Sequence, residues 1–124
     1  MGIRFIRISS IYFAIGVCMG LFMSITANYK LNPIHVHALL IGWASMMVAG
    51  ILYYVFKEAG ASKLGKLHFW FLNIGLPIMM IALALQIYGY HAAIPFVAGG
   101  SILVVLAIII FTINILIQIK ENNK

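Results

Sequence analysis

From Leu67 to Ile119 the chain runs for 53 residues without a single Asp, Glu, Lys or Arg. As one helix this run would be about 80 Å long, more than twice the hydrocarbon core of a bilayer. It must double back, and Tyr88-Gly89-Tyr90-His91 followed by Pro95 supplies the turn residues. Upstream, Ile8 to Tyr29 and Leu31 to Phe56 are also uncharged, and the second stretch opens on Asn32-Pro33, a pair that stops one helix and starts another. The pattern predicts an all-α membrane protein. Four transmembrane helices are expected at about 5–27, 33–57, 64–88 and 93–119, within one domain of residues 1–124.

Composition excludes the soluble alternatives. Only 8% of the residues are charged and the mean hydropathy is +1.11, whereas a soluble domain carries about 25% charged residues. A soluble enzyme or a nucleic-acid binder cannot clothe itself from this set. The lone Cys18 excludes a disulfide framework and any multi-cysteine metal site. The net charge of +6 is spread as short clusters at helix ends, with no basic and aromatic face for a phosphate chain. Seven of the eight basic residues (Arg4, Arg7, Lys57, Lys63, Lys66, Lys120 and Lys124) fall on one side of the predicted topology, and Lys30 alone falls on the other. Both termini are therefore expected in the cytoplasm. The first apolar stretch is too long for a signal-peptide core and is read as a retained helix.

The centres of the four helices hold no Asp, Glu, Lys or Arg, so proton relays and ion paths built from such groups are absent. Histidine remains: His35, His37, His68 and His91. An imidazole inside a bilayer is costly and marks a functional site by default. Residues two apart on an α-helix are separated by about 200°, so His35 and His37 face opposite ways and cannot share one metal ion from the same helix. A lone four-helix bundle covers one face of each helix, so both imidazoles are covered only in an oligomer. His35 shares its face with Ala38, Gly42, Met46 and Ala49; His37 shares its face with Ile41, Ala44, Val48 and Ile51. Gly42 and Ala44, each seven positions on, offer clearance for a flat macrocycle, although small residues also serve ordinary helix packing. Haem iron accepts imidazole as an axial ligand, and two opposed imidazoles make an electron-transfer centre.

Pro33-Ile34-His35-Val36-His37-Ala38-Leu39-Leu40-Ile41-Gly42-Trp43, running into Gly50-Ile51-Leu52-Tyr53-Tyr54, resembles the second-helix region of the haem–copper oxidase and nitric oxide reductase superfamily. Leu67-His68-Phe69-Trp70 with Asn73-Ile74-Gly75 resembles its next helix, so the likeness covers roughly residues 32–80. The catalytic subunit of that superfamily is a twelve-helix chain of three four-helix arcs, and this chain is similar to one arc. The resemblance implies a homotrimer with haem b between protomers, ligated by His35 of one copy and His37 of the next. The oxidases' copper-binding histidine cluster and proton-channel residues have no counterpart here, which puts oxygen reduction by this chain in doubt. Three functions follow from the resemblance: electron transfer through bis-histidine haem; binding, sensing or reduction of O2 or NO at an open site; or a haem-free accessory subunit of a respiratory complex. The prokaryotic plasma membrane is the implied location.

The other polar and soft residues receive blander expectations. His68 beside Lys66 reads as an interfacial histidine. Lys30, Tyr90 and His91 lie near the expected haem edge and are candidate propionate contacts, but a solvated loop is the better account of them. Met79 and Met80 read as packing, Trp43 and Trp70 as packing or interface anchors, and Cys18 as a buried small residue. Gly16 and Gly20 form a small-xxx-small helix contact.

Overall fold

A computed structural model describes residues 1–120. Every element in it is helical: α1 (Gly2–Thr26), α2 (Asn32–His37), a π-helical segment (Ala38–Ser45), α3 (Met46–Val55), α4 (Lys57–Ala61), α5 (Lys63–Ile87), a 3-10 turn (His91–Ala93) and α6 (Ile94–Gln118). The pieces from α2 to α3 join into one rod, Asn32–Val55, so four helices are long and apolar enough to cross a membrane. The protein is thus a multi-pass membrane protein. The second span stops at Val55 rather than at 57, because Phe56 leaves helical geometry with φ −105° and ψ 78°.

The turn chemistry explains the breaks. Pro33 and Pro95 sit in the first turns of α2 and α6, where a missing N–H costs nothing. Gly89 adopts φ +96°, a conformation glycine tolerates, and its N–H and that of Tyr90 close the carboxyl end of α5 on Gln86 and Leu85 carbonyls.

Two helical hairpins make the body: α1 against the second rod, and α5 against α6. Both rest on backbone-to-backbone approach. A Cβ added at Gly2 would lie 2.5 Å from Tyr54 N and 2.6 Å from Gly50 O. One added at Gly100 would lie 2.7 Å from Met79 N, and one at Gly75 would lie 2.6 Å from Leu103 Cβ. Lipid tails supply no hydrophobic force between helices, so such close contact is the main source of association. Phe5, Met46, Leu72, Leu76 and Ala107 fill the space between the hairpins. Met79 is part of that core, as its packing role requires, whereas Cys18 is exposed on α1 rather than buried. Its helix meets the second rod through Gly16, which leaves Cys18 facing outward.

One end of the bundle gathers Met1, Lys57 and Gly60 around a shared cleft, with Gln118 of α6 beside Glu58. At the other end Lys30 Nζ stands 5.7 Å from the centre of the Tyr88 ring, so the first and third loops adjoin. The basic clusters predicted to share a side therefore do share an end, with Lys124 outside the described residues.

The basic end is held by a polar knot. Asn114 of α6 donates from Nδ2 to Ala59 O at 2.9 Å and to Tyr53 OH at 3.3 Å. Ser62 caps α5 by accepting from Gly65 N at 3.0 Å, and its hydroxyl lies 2.9 Å from Asn114 Oδ1. Asn114 is fully buried, so its amide needs these partners. Asn114→Leu should lower stability by about 1–2 kcal/mol, measured as the shift in denaturant midpoint in bicelles. An unchanged midpoint would show that the knot carries no stability.

Candidate functional site

The helix-starting Pro33 puts His35 and His37 in the α-helical stretch that precedes the π segment, two residues apart and hence on opposite sides. His35 reaches across to α1, where its Nδ1 lies 2.8 Å from the carbonyl oxygen of Gly16. His37 turns back on its own helix, with Nδ1 2.6 Å from Pro33 O. A carbonyl oxygen only accepts, so in each neutral ring Nδ1 must carry the hydrogen. The lone pair is then on Nε2 in both rings, and neither Nε2 has a hydrogen bond among the described residues. Metal-binding histidines are commonly oriented this way, with the second nitrogen donating to a carbonyl and raising ligand basicity.

His35 opens on an apolar groove of about 420 Å³ between α1 and the second rod, lined with Phe13, Val36, Leu39, Leu40, Trp43 and Ala44. Phe13 and Trp43 pack there with ring centres 4.3 Å apart. Ala44 lines the groove of His35, whereas a regular helical period groups it with His37. The π segment widens each turn and retards the rotation of every residue after His37, which brings Ala44 round. Gly42 does not open on this groove. A Cβ there would lie 2.5 Å from the Tyr12 ring, so α1 already fills the clearance. Ala38 is 1% exposed and belongs to the interior. Of Ala38, Gly42 and Ala44, it is Ala44 that lines this groove.

The loop residues stay apart from this pair. Lys30 lies over Tyr88, His91 is exposed at the start of the 3-10 turn, and Tyr90 borders a separate groove with Phe96. No hydrogen bond or ring contact among the described residues joins Lys30, Tyr90 or His91 to His35 or His37.

His68 departs most from expectation. It is 0% exposed, inside the bundle rather than on its surface, and its ring lies between Phe5 at 4.9 Å and Phe111 at 4.8 Å. Tyr53 OH lies 2.9 Å from His68 Nδ1 and also accepts from Asn114 Nδ2. A hydroxyl both donates and accepts, so this bond admits either tautomer of His68, unlike the carbonyl bonds of His35 and His37. Nε2 is buried without a partner. Tyr53 and Asn114 are the residues that sequence reasoning missed; a lone asparagine in the most apolar helix was the available signal.

The described residues contain no group of three or more His, Cys, Asp or Glu placed to hold a metal ion. No protein-family model, curated protein or solved structure matches the chain.

His68→Phe takes the imidazole partner from Tyr53 and should cost about 1–3 kcal/mol of stability, read by denaturant unfolding; an unchanged midpoint would show that the buried Tyr53–His68 bond carries no stability.

Proposed function

We propose that this protein binds haem b in a prokaryotic plasma membrane and transfers electrons, with His35 and His37 as the axial ligands. The observation that carries this reading is the carbonyl-fixed tautomer of both rings, which leaves each Nε2 lone pair free. A ring that served only to dock helices needs one bond; here the remaining nitrogen is also of the ligating kind. The groove beside His35 offers apolar walls, and the centres of the spans offer no acidic or lysine side chain for a competing chemistry.

Because the two imidazoles diverge, one protomer supplies half of each of two sites. A homotrimer, the assembly implied by the resemblance to haem–copper oxidases, joins His35 of one copy to His37 of the next and covers both faces. Haem held by two imidazoles supplies one-electron transfer and no open position for O2 or NO. The protein's part is to fix two ring planes through Gly16 O and Pro33 O, and to exclude water with Phe13, Leu40 and Trp43. The Lys/Arg bias supports cytoplasmic termini, with the histidines toward the outer leaflet.

Purified in detergent and reduced, the protein should show split α/β bands, a b-type pyridine haemochrome and no change on adding carbon monoxide. His35→Ala and His37→Ala should each abolish the low-spin spectrum. A protein that stays colourless after reconstitution with haemin would contradict the reading in favour of a haem-free accessory subunit, and carbon monoxide binding would replace electron transfer by gas binding at an open site.

A further inference from the structure

The Gly16-x-x-x-Gly20 pair on α1 is unexplained by general helix packing alone, because each glycine meets a particular side chain. A Cβ at Gly16 would lie 2.5 Å from Leu39 Cδ2, while one at Gly20 would lie 2.9 Å from His35 Cε1, 3.5 Å from Nε2 and 3.6 Å from Nδ1. Cε1 is the ring atom between the two nitrogens. The absent side chain at Gly20 thus leaves room for the very edge of the imidazole that presents both its donor and its ligating atom. One turn earlier in α1, the Gly16 carbonyl takes the Nδ1 hydrogen at 2.8 Å. Residues 35 and 39, four apart on one rod, rest on residues 20 and 16, four apart on the other.

We propose that Gly20 is the positioning residue for His35: it sets the depth of the imidazole so that Nδ1 bonds Gly16 O and Nε2 is the nitrogen left to ligate. His37 has no such seat, since its bond is to Pro33 in its own helix. The two ligands therefore differ in what controls them. The orientation of His35 depends on how α1 lies against the second rod, and that of His37 depends only on local helix geometry. A methyl group at Gly20 stands closer to Cε1 than carbon atoms normally approach, so the ring must withdraw and its bond to Gly16 O must lengthen. A weaker Nδ1–H···O=C bond makes a less basic ligand and a higher haem potential. This last step rests on the haem reading; the choice of tautomer does not.

The test uses the full chain, haem-free, labelled with 15N-histidine, with the His35 signals assigned by their loss in His35→Gln. The wild-type ring at 35 should read as protonated at Nδ1. Gly20→Ala should convert it to a mixture of tautomers and leave His37 and His68 unchanged. Gly99→Ala, where a methyl group meets nothing within 4 Å, should alter none of them. In the haem-loaded protein Gly20→Ala should keep a low-spin spectrum with a raised midpoint potential. A wild-type His35 protonated at Nε2 would overturn the proposal, and it decides the matter even if Gly20→Ala does not fold. A folded Gly20→Ala with an unaltered His35 tautomer would overturn it as well. A shifted tautomer with an unshifted potential would remove the link to haem. Failure to bind haem at all would contradict the proposed function, while the nitrogen spectra would still decide the role of Gly20.

Discussion

An imidazole in hydrocarbon has two nitrogens that ordinarily face water, and a backbone carbonyl can satisfy only the one that carries hydrogen. This constraint organises the polar chemistry of the molecule. Where the partner is a carbonyl, as for His35 with Gly16 and His37 with Pro33, Nδ1 is protonated and Nε2 is left as a lone pair. Where the partner is the Tyr53 hydroxyl, as for His68, either ring nitrogen can carry the hydrogen, because a hydroxyl both donates and accepts. Three histidines of one sequence type thus divide into two bound to backbone carbonyls and one bound to a hydroxyl in the core. The difference lies in the neighbour, not in the residue.

The four spans were legible because they follow from charge and length alone. An uncharged run too long for one crossing has to turn, and Gly89 with Pro95 marks where. The opposed placement of His35 and His37 was legible for a similar reason, since it depends on helix geometry over only two residues. Properties that depend on a second helix were not. The burial of His68 requires Tyr53 from the preceding rod and Asn114 from the last helix, partners 15 and 46 positions away along the chain. Gly42 looks open from its own helix and is closed by Tyr12 of another. The π segment left no periodic signature, because Ala38–Ser45 is apolar on every side apart from Ser45.

Gly16 and Gly20 illustrate how a general motif acquires a particular role. Small residues let helices approach, and approach alone would have accounted for them. The structure adds that the approach is what delivers a backbone carbonyl to a histidine. Packing between α1 and the second rod and the chemistry of His35 are therefore one interaction, while the tight Gly75 and Gly100 crossing serves the other hairpin with no such consequence.

On the proposed reading, the two diverging imidazoles can serve as ligands only if different copies complete each site. Subunit complementation tests that claim most directly. Neither His35→Ala nor His37→Ala protomers should bind haem when expressed alone. Co-expressed, they should form mixed trimers in which an intact His35 meets an intact His37 at some interfaces, and low-spin b-type absorbance should return in the doubly tagged fraction. Mixed trimers that stay colourless beside a haem-loaded wild type, or haem retained by either variant alone, would contradict a site shared between protomers.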